Sequence, residues 1–135
     1  MSQMKAALMY GPNDVRVEMT EKPACPKDGL ILKIMSVGLC GSDIRNLTSD
    51  SRKGKYPFIY GHEIVGCVDE VGSEQTRFQV GQRLFLFPGT YCMECDNCVK
   101  GHSENCENEH VAKLAGTGGF AQYIAVSGEK IHYGG

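Results

Sequence analysis

Residues 92–106 read CMECDNCVKGHSENC and place cysteines at 92, 95, 98 and 106, in the spacing C-x2-C-x2-C-x7-C. Two residues between cysteines let a tight turn aim both sulfurs at one point. The longer arm, softened by Gly101, swings the fourth cysteine back toward the other three. Zinc takes four such donors at tetrahedral corners, with Zn–S near about 2.3 Å, and four thiolates leave no open position for water or substrate. The pattern therefore points to a structural zinc on Cys92, Cys95, Cys98 and Cys106, in a loop covering 91–107. Reduced surface cysteines, two disulfides and an iron–sulfur cluster are the alternatives; the bacterial ferredoxin spacing ends in x3-C-P, which this stretch lacks. His102 and His110 are substitute donors by chemistry. With four cysteines already placed, each reads as a solvated loop histidine.

Upstream, GLCGSDIRN at 38–46 and GHEIVG at 61–66 hold a second set of donors: Cys40, His62 and Glu63. A catalytic zinc characteristically has three protein ligands and one open position. A thiolate and a carboxylate would neutralise the ion, and the open position would polarise an alcohol oxygen. Ser42 lies close enough in sequence to Cys40 to relay a proton. Asp43 is placed to accept a hydrogen bond from His62 and fix its tautomer. On the residues alone, a helix-capping Ser42–Asp43 pair and a core histidine explain these positions as well.

The remaining sequence sets the frame. The chain has 135 residues, 7 cysteines and a formal net charge of −2. It is the length of one domain, with mixed charges and no basic face for nucleic acid. No apolar run approaches the roughly 18 residues of a membrane span. The N-terminal MSQMKAALMYGPND has no cleavable signal pattern, so a cytoplasmic chain is expected, where clustered cysteines favour metal over disulfides. Short apolar or alternating runs at 4–9, 15–19, 29–37, 63–71, 83–87 and 120–126, separated by glycine-containing turns, predict a mostly β barrel or sandwich. A short helix is expected within 38–46 with Ser42 as its N-cap. The segment 99–108 reads as a loop around metal. Cys67 reads as a small buried hydrophobe and Cys25 as a loop residue. Gly116-Thr117-Gly118-Gly119 has the wrong spacing and context for a dinucleotide fingerprint, and no βαβ alternation is present.

Taken together, MKAALMYGPNDVRVE, VGLCGSD, YPFIYGHEIVGCVDEVG, VGQRLFLFP, CMECDNCVKGHSENC and GTGGFAQYIAV resemble the N-terminal, GroES-like domain of the medium-chain zinc-dependent dehydrogenases, the family of alcohol, sorbitol and threonine dehydrogenases. The resemblance implies a mostly β fold, a GroES-like partly open β-barrel with short helices and a zinc-binding loop. It implies that Cys40 and His62 bind a catalytic zinc, with Glu63 as a direct ligand in sorbitol- and threonine-dehydrogenase-like members and a nearby partner in others. It gives Ser42 the proton relay, and makes Cys92, Cys95, Cys98 and Cys106 the structural zinc site. The implied activity is hydride transfer between a secondary alcohol or polyol and NAD or NADP, in a homo-oligomeric parent enzyme. Arg45 stands where many members carry a relay histidine, and a guanidinium stays protonated at neutral pH. The expectation is that 1–135 is a truncated substrate domain, inactive alone because the Rossmann domain is absent. A stand-alone zinc-binding interaction module and a zinc-thiolate redox switch are the rival readings.

Overall fold

Alternation drives the first hairpin. In β1 (Gln3–Gly11) the side chains of Met4, Ala6 and Met9 are buried, and Asn13, in the left-handed region at φ 60°, turns the chain into β2 (Asp14–Glu21). The computed structural model describes residues 2–51, 53–86, 89–90, 94–107, 110–111 and 118–127. After the hairpin come β3 (Leu30–Gly38), α1 (Gly41–Leu47), β4 (Phe58–Ile59), β5 (Glu63–Val71) and β6 (Arg83–Leu86). They are followed by β7 (Gly89–Thr90), α2 (Asp96–Val99), a 3-10 turn (Ser103–Asn105), β8 (His110–Val111) and β9 (Tyr123–Val126).

Among the described residues all strand pairings are antiparallel. One sheet runs β2-β1-β4, a second runs β6-β5-β3-β9, and β7 pairs with β8. Leu30, Leu32, Ile64, Val68, Ile124 and Val126 form the buried cluster of the second sheet. Each such side chain contributes about 1.5–3 kcal/mol when fully buried. The two sheets meet at a corner made by residues 120–126. Phe120 and Gln122 bond to β1, through Ala7 N–H to the Phe120 carbonyl at 2.8 Å and Gln122 N–H to the Lys5 carbonyl at 3.0 Å. The chain then turns, Ile34 N–H donates to the Gln122 carbonyl at 2.8 Å, and β9 continues along β3. Among the described residues the strands do not close into a barrel.

The mostly β, open-barrel expectation holds, with short helices as foreseen. Three local readings change. The run 120–126 is a strand only from Tyr123, because its first residues are turned to the other sheet. Cys40, not Ser42, is the N-cap of α1, since the Asp43 side chain reaches back to the Cys40 N–H. Part of the loop expected at 99–108 is a 3-10 turn, with α2 closing just before it. Phe87 lies outside the described residues. No helix among the described residues is long and apolar enough to cross a membrane.

Lys22 ties the two sheets from the outside. Its ammonium lies 2.8 Å from Asp69 Oδ2, 2.6 Å from Glu70 Oε1 and 4.2 Å from the centre of the Tyr123 ring. The side chain is only 13% exposed. The hydrogen bonds that its ammonium donates to Asp69 and Glu70 hold its pKa above the ordinary lysine value. A raised folded-state pKa means that this contribution is fully present below the unfolded-state lysine pKa of about 10.4 and is lost as pH rises through the folded-state value. Lys22→Met is expected to lower stability by about 2 kcal/mol at neutral pH. Urea denaturation at pH 7 and above pH 10 checks this: the gap between wild type and variant should narrow at the alkaline end.

Candidate metal centres

Cys40 sits between β3 and α1 in extended backbone, at φ −86° and ψ 154°. Its N–H donates to Asp43 Oδ2 at 3.0 Å. Asp43 is 1% exposed, and a buried carboxylate is costly unless its oxygens find partners. Its other oxygen, Oδ1, lies 3.5 Å from His62 Nδ1. One buried carboxylate therefore holds the backbone of Cys40 and faces the ring of His62.

His62 and Glu63 stand at the start of β5, after Gly61 at φ 98°. Residues 118–120 press against this turn. Gly119 N–H donates to the Gly61 carbonyl at 2.8 Å and Phe120 N–H to the Tyr60 carbonyl at 2.9 Å. A Cβ on Gly118 would run into the carbonyl groups of Ile59 and Tyr60. Across the sheet, Glu63 pairs with Gly38. A Cβ on Gly38 would fall on Glu63 Oε2 and lie 3.0 Å from Glu63 Cβ, so the Glu63 side chain occupies the space that a larger residue would fill. The outcome is convergence: the Cys40 sulfur, a His62 ring nitrogen and a Glu63 carboxylate oxygen all lie within 4.8 Å of one another.

The second centre is local. Cys95 is the N-cap of α2, Cys98 lies buried within it, and Cys106 follows the 3-10 turn. Gly101, at φ 84°, ends the helix and its N–H donates to the Cys98 carbonyl at 3.0 Å. Asn97 Nδ2 donates to the Asn105 carbonyl at 2.8 Å and staples the helix to the turn. The sulfurs of Cys95, Cys98 and Cys106 lie within 4.8 Å of one another. Cys92 lies outside the described residues.

Other singled-out positions divide as follows. Ser42 is half-buried at the second position of α1. Arg45 is exposed in the last turn of α1, where a cation is favoured by the helix dipole. His102 is exposed, with Nδ1 3.5 Å from Glu104 Oε1. The side chain of His110, and all of His132, lie outside the described residues. Cys67 is half-buried rather than buried, since β5 presents it between the inward Gly66 and Val68. Burial pushes the Cys25 thiol pKa up, which disfavours the reactive thiolate. Sequence reading did not single out Gly38, Gly118 or Asn97 for the centres; a glycine shows its role only when the atoms that crowd it are known.

Comparison with known proteins bears on this frame. The alcohol dehydrogenase GroES-like domain family matches residues 26–133. Sorbitol dehydrogenase of Bacillus subtilis (strain 168) is 37% identical over 126 residues, which are 90% of this chain and 35% of that protein. The crystal structure of galactitol-1-phosphate dehydrogenase from Escherichia coli superposes with a TM-score of 0.78 at 33% identity, covering 92% of this chain and 36% of that one. An alcohol dehydrogenase (rspB) from E. coli CFT073, crystallised with NADH, gives a TM-score of 0.76 at 30% identity, covering 96% of this chain and 38% of that one. The relatives are thus alcohol and polyol dehydrogenases, and the chain spans little more than a third of their length.

Crowding at Gly118 yields a test. Gly118→Ala must move backbone, and is expected to cost about 1–3 kcal/mol. Gly11→Ala, where a Cβ would meet nothing within 4 Å, is expected to stay within about 0.5 kcal/mol of wild type. Thermal denaturation of the two variants side by side measures the difference.

Proposed function

We propose that this chain, which belongs to the alcohol dehydrogenase GroES-like domain family, is the metal-bearing substrate domain of a zinc-dependent dehydrogenase acting on a secondary alcohol or polyol with NAD or NADP. The activity is that of a protein comparable in length to the relatives, of which this chain spans little more than a third. The 135-residue chain alone is not expected to turn over. The observation that carries the reading is the meeting of Cys40, His62 and Glu63 within 4.8 Å. These are one sulfur, one nitrogen and one oxygen donor, brought together from two segments distant in sequence, and a half-buried to exposed setting leaves a side open to a substrate.

The donor set fits zinc. Cys40 supplies a thiolate, His62 a ring nitrogen and Glu63 a carboxylate, the three-ligand pattern of sites with an open position. Bound there, zinc would act as a Lewis acid toward an alcohol oxygen, and a nicotinamide would accept the hydride. The chain's own residues do the positioning. Asp43 turns Nδ1 of His62 toward itself, which leaves Nε2 as the donor atom and sets the tautomer. Ser42, two residues after Cys40, relays the hydroxyl proton of the substrate away from the centre. Arg45 is exposed in the last turn of α1 and takes no part in that relay.

Cys95, Cys98 and Cys106, completed by Cys92, hold a second, structural zinc. Three sulfurs meeting at one place supports a metal over a disulfide framework, which would bring sulfurs together in twos. Closed thiolate coordination suits a lobe whose buried residues, among those described, are Cys98 and Cys106.

The decisive experiment combines metal analysis with turnover. The full-length protein, assayed with NAD, NADP and a panel of polyols, should oxidise at least one of them. Cys40→Ala or His62→Ala should abolish turnover and remove one zinc while the second stays bound. If both variants keep wild-type activity, the proposed site is wrong. Asp43→Asn should lower metal affinity at the first centre by about 10–100-fold. Gly38→Ala, by pushing the Glu63 carboxylate aside, should change the visible spectrum of the cobalt-substituted centre without touching the cysteine site.

A further inference from the structure

The hairpin's outer strand carries an arrangement that the metal chemistry does not use. Among the described residues β2 is an edge strand. Val15, Val17 and Met19 are exposed on it at 46%, 73% and 52%. Exposed edges rich in apolar residues invite pairing with another strand.

The register shows which backbone groups of β2 face outward. Lys22 N–H donates to the Ser2 carbonyl at 2.9 Å, so Ser2 and Lys22 form a hydrogen-bonded pair. In an antiparallel ladder such pairs alternate with non-hydrogen-bonded ones. The register therefore makes Met4–Thr20, Ala6–Glu18 and Leu8–Arg16 hydrogen-bonded, and leaves Lys5–Met19, Ala7–Val17 and Met9–Val15 in the other class. The β1 members of that second class behave accordingly: Ala7 N–H and the Lys5 carbonyl bond to Phe120 and Gln122, on the side away from β2. Their partners Val15, Val17 and Met19 must then aim their own N–H and C=O groups away from β1, along the open edge. The same residues thus carry both the exposed apolar side chains and the outward backbone groups.

We propose that β2 is a self-complementary edge through which two copies of this chain pair, antiparallel and about a twofold axis at Val17, into a continuous β4-β1-β2-β2-β1-β4 sheet. In this register Val17 meets Val17 of the second copy, and Val15 meets Met19 of the second copy. All of these are residues whose backbone groups point outward, so they exchange hydrogen bonds in both directions. On the opposite face, Arg16 meets Glu18 of the second copy, and Glu18 meets its Arg16. Opposite charges and apolar pairs directly across from one another are the favourable cross-strand combinations. The twofold axis uses each of them twice, as an isologous contact requires. Shifting the pairing by two residues on one strand would put Arg16 against Arg16 or Glu18 against Glu18, so the charges select this register.

The charged face is already held in shape. Arg16 Nε and Nη2 each donate to Asp14 at 3.0 Å. The guanidinium lies 4.7 Å from the centre of the Tyr10 ring, and Tyr10 OH donates to Glu18 Oε2 at 2.7 Å. Pairing then orders fewer side chains than it would on an unstructured surface. A strand from elsewhere in a longer polypeptide is the other occupant that the edge would accept. The self-complementary order Val15-Arg16-Val17-Glu18-Met19, with opposite charges either side of Val17, favours a second copy, because a strand of unrelated sequence places no requirement for complementarity of β2 with itself.

The test is sedimentation equilibrium on the intact chain across a concentration series. Wild type is expected to dimerise. Arg16→Glu alone and Glu18→Arg alone place like charges across the axis, and each should weaken dimerisation by about tenfold or more. The double variant Arg16→Glu/Glu18→Arg restores the pairs and should recover the wild-type constant. An equimolar mixture of the two single variants should form the heterodimer, because each charge then faces its opposite. Val17→Lys should leave a folded monomer, with folding checked by circular dichroism. A wild-type chain that stays monomeric up to about 1 mM, or a dimer that ignores Val17→Lys, overturns the proposal. Amide exchange separates the other occupant: protection of the Val17 and Met19 N–H groups that does not vary with protein concentration would mean that the same polypeptide covers the edge, and would also overturn it.

Discussion

Two sheets and the turn that delivers His62 to the candidate metal centre are held in a single frame by the backbone contact between residues 118–120 and residues 59–61. Gly119 and Phe120 donate to the carbonyls of Gly61 and Tyr60, and the next residues bond first to β1 and then to β3. This short stretch therefore touches both sheets and the turn that delivers His62. Its position depends on the lack of a side chain at Gly118, where the neighbouring atoms are carbonyl groups that cannot swing aside. Loosening it would separate the sheets and the histidine together.

Within that frame the donors are placed by two unlike means. Asp43 works by attraction: a carboxylate 1% exposed takes the Cys40 N–H and faces the ring of His62, and burial leaves it few other partners. Gly38 works by vacancy, since the space beside its α-carbon is filled by Glu63. One donor is held by a hydrogen bond and another by room to lie down. The cysteine lobe needs neither device, because its helix cap, its Gly101 turn and the Asn97 staple lie within the same few turns of chain as the sulfurs.

This contrast explains what could be read in the sequence. Strands were legible where one face is buried, as in β1 and β5, because alternation is a period-two signal. The cysteine lobe was legible because spacing alone carries the constraint. Cys40, His62 and Glu63 were not separable from a capped helix and a core histidine by residue pattern, and only the family resemblance singled them out. Ser42 looked like the cap because serine is a common one, whereas the carboxylate two residues before Arg45 pulled the helix start back to Cys40. The tie from Lys22 to Asp69 and Glu70 spans 47 and 48 residues, a separation on which local propensity is silent. The turning of residues 120–122 toward β1 depends on the same long-range geometry.

The two centres also differ in when they can exist. Cys95 and Cys106 are 11 residues apart, whereas Cys40 and His62 are 22 apart, yet closure entropy separates loops of these lengths by only about 0.6 kcal/mol. The larger distinction is dependency. The Cys95–Cys98–Cys106 group is positioned by contacts within its own stretch of chain. The Cys40–His62–Glu63 set has no shape until β3 and β5 have paired and set Gly38 opposite Glu63. On the proposed reading, a thiophilic ion would find the cysteines first in the nascent chain, and the open-sided centre would begin to compete for metal only after long-range topology is complete.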